Sequence, residues 1–144
     1  MKIGLYSAIA RQPIVAARDF IAAHSYPPSK TGIRQCRVDI AALPDTDTIK
    51  GVMKWTDFYT MSECRDLIFH VQEHRFTLPH IAAILDDLNV EFLGFHLNKQ
   101  QTLQAYYRRF PSDLPATSLA NWHQFELEYP ETFDTMYQFW VRKK

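Results

Sequence analysis

The chain has 144 residues, of which 47% are hydrophobic and 14% aromatic, and these values are typical of a globular protein with a sizeable core, expected here as a single domain over 1–144. Its 16 basic and 16 acidic side chains cancel, so no net field would draw in nucleic acid or an anionic membrane. The two cysteines are far apart, and neither a signal-peptide pattern nor an apolar run of about 18 residues is present, which favours a cytoplasmic protein that does not enter a membrane.

The chain begins with a predicted strand and two predicted helices. The strand is KIGLYS (Lys2–Ser7), and Pro13 lies in the first turn of the helix that follows, where its missing N–H costs nothing. A second helix is predicted from Ser29, because apolar residues recur there at helical spacing. The buried face of that helix is predicted at Ile33, Cys36 and Ile40.

Two more helices are predicted before the next strand. The third covers 63–73 with Ser62 as its N-cap, and the sequence TLP at 77–79 opens the fourth. The apolar face of the third helix is predicted at Cys64, Leu67, Ile68 and Val71.

The sequence VEFLGFHL at 90–97 is the strongest strand signal in the chain. Simple alternation would place Phe92 and Phe95 on opposite faces of the sheet. Because both faces would then be apolar, the strand is expected in a sheet that is covered on both sides.

Two helices and a strand are predicted to complete the chain. Asn98 is the expected N-cap of the first of these helices, and the second is predicted near 118–129. The aromatic residues of both helices are predicted to form a buried face and not a nucleotide-stacking surface. The last strand is MYQFWVRK (Met136–Lys143). About three strands and about six helices in this order predict an α/β fold. Three strands are few for a sheet covered on both faces, so we expect an incomplete fold.

The sequence HVQEH at 70–74 has the H-x-x-E-H pattern of the inverted zinc proteases. On the predicted third helix, Asp66, His70 and His74 would follow one another at i, i+4 and i+8. Two histidines can bind zinc, but a catalytic site requires a third protein ligand, and no convincing one follows in this chain. A carboxylate–histidine ladder on a partly solvated flank is therefore favoured, and a metal site at His70, Glu73 and His74 is the weaker alternative.

The stretch from KIGLYS through WTDFYTMSECRDLIFHVQEHRFTLPHIAAILDDLNVEFLGFHL to NWHQFELEYPETFDTMYQFWVRK resembles the C-terminal half of class I S-adenosylmethionine-dependent methyltransferase domains. It is most similar to bacterial domains that follow tetratricopeptide repeats, and DLIFHVQEHRFTLP is its most specific segment. The resemblance implies a partial Rossmann-like fold in which KIGLYS, VEFLGFHL and MYQFWVRK correspond to the fifth, sixth and seventh strands of that family. It also implies the strand order first, third, second, with the last strand antiparallel between the other two.

The resemblance implies S-adenosylmethionine as the cofactor, but the sequence lacks the family's cofactor motif. That motif is a glycine-rich turn after the first strand, together with an acidic residue at the end of the second. The glycines of this chain are Gly4, Gly32, Gly51 and Gly94, and no two are near neighbours. Both cofactor elements would lie upstream of Met1. We therefore expect no cofactor-binding residues, no bound metal and no activity in the isolated chain.

Within the resemblance, the substrate-side residues lie between the first and second strands. Trp55, Tyr59 and Glu73 are implied to contact substrate, and His70 or His74 is implied to act as a base if the methyl acceptor carries a proton. The alternative for Trp55 and Tyr59 is that they anchor the core or a loop.

Two functions therefore remain open. The chain is either the substrate-side portion of a methyltransferase, with its cofactor portion lost or supplied by another chain, or a non-catalytic interaction domain derived from that fold. In both cases the unpaired edge of Lys2–Ser7 is expected to form a homodimer or to pair with a cofactor-binding chain, because unpaired strand edges are templates for other strands. An in-frame glycine-rich motif upstream of the start codon would favour the enzyme.

Overall fold

A computed structural model describes residues 1–70 and 72–144 of the chain. The described residues divide into two compact units. The helical unit is Gln12–Glu73, and the sheet unit is Met1–Arg11 together with His74–Lys144.

The described secondary structure is mixed, and the protein is of the α/β class, as the sequence predicted. In chain order the elements are β1 (Lys2–Ser7), α1 (Gln12–His24), α2 (Lys30–Ala42), two 3-10 segments (Thr48–Lys54 and Thr56–Tyr59), α3 (Met61–Cys64), a π-helical turn (Arg65–Phe69), β2 (Arg75–Phe76), α4 (Leu78–Asp87), β3 (Val90–Phe95), α5 (Gln100–Arg109), α6 (Leu119–Glu128) and β4 (Met136–Lys143). Within these residues no helix is long and apolar enough to cross a bilayer.

The sheet has the strand order β2-β1-β4-β3. Strand β4 is antiparallel to both β1 and β3, which confirms the predicted order and orientation of those three strands. The described residues add a fourth strand, β2, which runs parallel to β1 and pairs only with Tyr6 and Ser7. A strand of two residues is too short to show alternation in a sequence, so β2 was not predicted.

A β-bulge in β3 changes which side chains face the core. Phe92 pairs with Val141 and Gly94 pairs with Trp140, so Leu93 is an extra residue without a partner on β4. Gly94 has a φ of +130°, which glycine adopts without strain. The bulge places Phe92 and Phe95 on the same face, with their ring centroids 5.0 Å apart. The predicted simple alternation of this strand is therefore wrong.

The core of the sheet unit lies on one face of the sheet and is largely aromatic. Tyr137, Phe139 and Val141 alternate along β4 and are all buried. From the helices, Tyr106 stacks on Trp122 with ring centroids 3.8 Å apart, and both rings are buried as the helical spacing predicted. On the opposite face Trp140 is 47% exposed, so the expectation of cover on both faces fails at this position.

The core of the helical unit follows the predicted face of α2. Ile33, Cys36 and Ile40 are all fully buried, together with Ile14 and Ala17 of α1. The start of this helix was predicted at Ser29, and the structure makes Ser29 its N-cap, because the hydroxyl of Ser29 accepts a hydrogen bond from the backbone N–H of Gly32 at 3.2 Å.

The third predicted helix is shorter than expected and begins earlier. Its N-cap is Thr60 and not Ser62, and its π-helical turn ends at Phe69. His70 has an extended backbone, with φ −79° and ψ 134°, so the predicted continuous helix over 63–73 is wrong beyond Phe69. Val71, which was predicted on the apolar face of that helix, lies outside the described residues.

Replacing Gly32 by alanine should destabilise the helical unit. A Cβ atom at Gly32 would lie 2.2 Å from the carbonyl oxygen of Pro27 and 2.7 Å from two of its ring carbons. Because Pro27 and Gly32 are both held close together at the N-terminus of α2, we expect Gly32→Ala to lower the free energy of unfolding by about 1–3 kcal/mol. Urea denaturation followed by circular dichroism measures this change. The exposed neighbour Arg34→Ala is the control, with an expected change within about 0.5 kcal/mol. Equal stability of Gly32→Ala and the wild type would contradict the contact.

Candidate functional site

The structure distributes the predicted site residues over both units. Trp55, Tyr59, His70 and Glu73 belong to the helical unit, whereas His74 belongs to the sheet unit. The helical unit therefore contains four of the five positions that the resemblance implies for the substrate side.

Trp55 and Tyr59 lie four residues apart in the helical unit, at either end of the segment 55–59. Trp55 lies between the two 3-10 segments and packs half-buried against the core, while Tyr59 is 53% exposed. The hydroxyl of Tyr59 donates a hydrogen bond to the carbonyl oxygen of Met53 at 3.0 Å, which fixes its position. The guanidinium carbon of Arg37 lies 5.6 Å from the ring centroid of Phe58 and 6.0 Å from that of Tyr59. Tyr59 and Arg37 therefore offer an exposed ring and a cation to a ligand.

His70 and His74 do not form the predicted helical ladder. Both side chains are exposed, and the chain leaves helical geometry before His70, so Asp66, His70 and His74 are not spaced along one helix. Within 1–70 and 72–144, no group of three or more potential ligand side chains is placed to hold a metal ion. The ladder is therefore wrong, and the described residues give the HVQEH pattern no metal-site geometry.

Glu73 is held by an ion pair with Arg18. The Nη2 atom of Arg18 lies 3.2 Å from Oε2 of Glu73, and the two side chains are only 17% and 6% exposed. The same guanidinium donates a hydrogen bond to the carbonyl oxygen of Leu67 at 3.0 Å. Arg18 thus satisfies a carbonyl of the π-helical turn and anchors the segment after it. Glu73, which the resemblance implies for substrate contact, is thus the ion-pair partner of Arg18.

The two cysteines contribute no reactive thiol. Cys36 and Cys64 are both unpaired and fully buried in the helical unit. Burial raises the pKa of Cys36 to about 12 and also raises the pKa of Cys64. Because the thiolate is the nucleophilic form, neither cysteine is a candidate nucleophile at neutral pH.

A buried polar cluster in the sheet unit was missed by the sequence analysis. The hydroxyl of Ser7 donates to Oε1 of Glu126 at 2.6 Å, and the hydroxyl of Tyr137 donates to Oε2 at 2.7 Å. All three side chains belong to residues with no exposed surface. A signal was present, because Glu126 lies seven residues after Leu119 and four after Trp122, on the buried face of the predicted helix.

The electrostatics of this cluster follow from its burial. Burial raises the pKa of Glu126, while the hydrogen bonds from Ser7 and Tyr137 act in the opposite direction. Burial also raises the pKa of Tyr137. The Ser7 Oγ atom accepts hydrogen bonds from the backbone N–H groups of Ile9 and Ala10 at 3.2 and 3.0 Å. Since none of these groups reaches the surface, the cluster organises the end of β1 and is not placed to meet a substrate.

Comparisons with known proteins do not assign a family. A scan against protein-family models finds no match, and a search of curated proteins finds no similar sequence.

Replacing Glu126 by glutamine should change how stability depends on pH. The folded-state pKa of Glu126 is raised above its ordinary value of 4.5, so the folded state binds its proton more tightly than the unfolded state. This difference adds to the free energy of unfolding in full below the ordinary pKa of 4.5. The contribution is lost as pH rises through the folded-state pKa, by at most about 1.4 kcal/mol per pH unit. Glu126→Gln removes this loss, so the wild type should become less stable relative to the variant as pH increases.

Urea denaturation between acid and neutral pH measures this difference. Glu128→Gln is the matched control on the same helix, because the hydrogen bond from Arg109 lowers the pKa of the exposed Glu128 and any effect should have the opposite sign. If the free energies of unfolding of the wild type and Glu126→Gln differ by the same amount across this pH range, the raised pKa of Glu126 is contradicted.

Proposed function

We propose that the chain is the C-terminal, substrate-side portion of an S-adenosylmethionine-dependent methyltransferase-like fold of the partial Rossmann type. It would act only after a cofactor-binding segment pairs with its sheet. The strand arrangement supports this proposal, because β4 runs antiparallel between β1 and β3, and β1 has a parallel neighbour on its other side.

The observation that carries the proposal is the pattern of hydrogen bonds along β1. The N-terminal ammonium group of Met1 donates to the C=O of Val141, the C=O of Met1 accepts from the N–H of Val141, and the N–H of Ser7 donates to the C=O of Thr135. The backbone groups of odd-numbered residues therefore point toward β4. The N–H of Ala8 instead pairs with Phe76, so even-numbered residues point the other way. Because β2 pairs only with Tyr6 and Ser7, the backbone groups of Lys2 and Gly4 face an edge without a strand in the described part of the chain. We call this the open β1 edge.

The glycines of this chain do not fit a cofactor loop. A Cβ atom at Gly32 would clash with Pro27, and one at Gly51 would lie 2.7 Å from Pro13, so both serve close packing in the helical unit. Gly4 lies within β1 and Gly94 within the β3 bulge. The residues that bind S-adenosylmethionine would have to come from a segment outside this sequence, and we derive no chemical step through that cofactor.

In this proposal the helical unit contacts the methyl acceptor. Tyr59 and Arg37 provide an exposed ring and a cation, and Trp55 is the residue at which the 3-10 segment that carries Tyr59 begins. His70 is exposed and is the candidate base within this unit, while His74 keeps this role only as a candidate in the sheet unit. Methyl transfer mainly requires an oriented and desolvated acceptor, and a base is needed only where the acceptor carries a proton.

A second candidate function is a non-catalytic interaction domain. The exposed side chains of Trp140 and Leu93 on the sheet unit favour it, because large apolar side chains close together at a surface are typical of interfaces. The two candidates differ in whether a cofactor-binding segment exists.

The isolated chain should bind S-adenosylmethionine weakly, with a dissociation constant above roughly 10 μM, because no glycine-rich turn approaches a ligand. Isothermal titration calorimetry measures this value. Where the reading frame upstream encodes a glycine-rich motif, the longer product should bind more tightly. Tight binding by the isolated chain would contradict the missing cofactor portion, and absence of binding by the longer product would favour the interaction domain.

Blocking the open β1 edge should prevent the cofactor-binding segment from pairing. The N–H of Lys2 points away from β4, so Lys2→Pro should remove a donor at the open edge without breaking a bond inside the sheet. We expect Lys2→Pro to keep its folding stability within about 0.5 kcal/mol and to lose cofactor affinity in the longer product. Lys2→Ala is the control and should retain that affinity. Equal affinity in the two variants would show that the edge is not the pairing surface.

A further inference from the structure

An apolar groove of about 580 Å³ lies at the end of the sheet unit remote from β2. Its apolar lining includes Leu88, Val90, Leu93 and Val141. Leu88 is 65% exposed and Leu93 is 42% exposed, although both are large apolar side chains. A second groove of about 500 Å³ also includes Leu93 and extends the surface to Trp140.

The backbone fixes the exposure of both leucines. Leu88 is the C-cap of α4, and Asn89 follows with a φ of +53°, which turns the chain into β3. Leu93 is the extra residue of the β3 bulge. Neither leucine can turn into the core without breaking the turn or the register, so the groove is a fixed feature of the fold.

The rim of the groove carries charges of both signs. Asp86 and Asp87 end α4 beside Leu88, and Lys143 ends β4 in register with Val90. Within the described residues Asp87 and Lys143 have no ion-pair partner, and the pair between Asp86 and Lys144 is long and exposed at 3.8 Å. Arg142, by contrast, is already paired with Glu91 at 2.6 Å.

We infer that this groove is the contact surface of a symmetric dimer formed with a second copy of the chain. A two-fold axis through the groove would place the leucines of the two copies together and bring Asp87 of each copy toward Lys143 of the other. A uniformly acidic or basic partner would meet like charge on one side of the rim. The balanced charge of the whole chain, 16 basic and 16 acidic residues, also leaves little repulsion between copies.

This interface is independent of the proposed function. Met1 lines the groove, but Lys2 and Gly4, whose backbone groups form the open β1 edge, do not, and β3 lies on the other side of β4 from β1. Loss of the dimer would leave the methyltransferase proposal unaffected, and the reverse also holds.

Sedimentation equilibrium of the full chain tests the dimer through the leucines. We expect a dimer at about 50 μM and at least a tenfold weaker association in Leu93→Asp and Leu88→Asp. Leu127→Asp is the matched control, because Leu127 is 59% exposed on α6 and does not line the groove, and it should dimerise like the wild type. Circular dichroism establishes that each variant is folded. A folded wild-type monomer at this concentration would overturn the proposal, as would a dimer that Leu93→Asp leaves intact.

Charge exchange tests whether the occupant is a second copy. Asp87→Lys and Lys143→Asp should each weaken self-association by about tenfold, because like charges then meet twice across the two-fold axis. An equimolar mixture of the two variants should form a heterodimer with close to wild-type affinity, since every pair is again of opposite sign. The same weak association in the mixture as in the separate variants would overturn the two-fold arrangement.

Discussion

The buried carboxyl group of Glu126 joins three elements of the sheet unit at one point. This carboxyl group accepts hydrogen bonds from the hydroxyl of Ser7 at the end of β1 and from the hydroxyl of Tyr137 near the start of β4, and Glu126 itself lies in α6. A slip of one residue between β1 and β4 would break this contact and turn the core-facing side chains of β1 to the other face. The same register decides which backbone groups of β1 point away from β4. The contact between Ser7 and Glu126 therefore helps to fix which backbone groups of β1 form the open β1 edge.

Arg18 has the corresponding role in the helical unit. Its guanidinium group binds the carbonyl oxygen of Leu67 in the π-helical turn and the carboxylate of Glu73 beyond it. Arg18 lies in α1, 49 residues before Leu67 and 55 residues before Glu73 in sequence. A single cation thus contacts both the turn and the segment that follows it within the helical unit. The glutamate of the H-x-x-E-H pattern, Glu73, takes part in this ion pair, and both of its histidines are exposed.

Local patterns predicted much of the fold because they depend on neighbours in sequence. The strands at Lys2–Ser7 and Met136–Lys143, the start of a helix near Ser29 and the aromatic core could all be predicted in this way. The N-caps predicted at Ser62 and Asn98 are wrong, because the helices are capped at Thr60 and Lys99. The errors arise where distant residues decide the local geometry. The end of the third helix depends on Arg18, and the pairing of Arg75–Phe76 depends on β1. The bulge at Leu93 depends on the register with β4, which alternation alone cannot give. The Glu126 cluster combines side chains from three separate elements, which no local pattern brings together.

In the proposed function, a partner segment completes the sheet along β1. The glycines serve packing and strand geometry, and within residues 1–70 and 72–144 the outward backbone groups of Lys2 and Gly4 face no neighbouring strand. Amide hydrogen exchange along β1 tests this arrangement most directly. The account predicts protected amides at Ile3 and Leu5, which face β4, and rapid exchange at Lys2 and Gly4, which face the open β1 edge. Equal protection of all four amides would contradict it, because it would mean that the outer side of β1 is already paired.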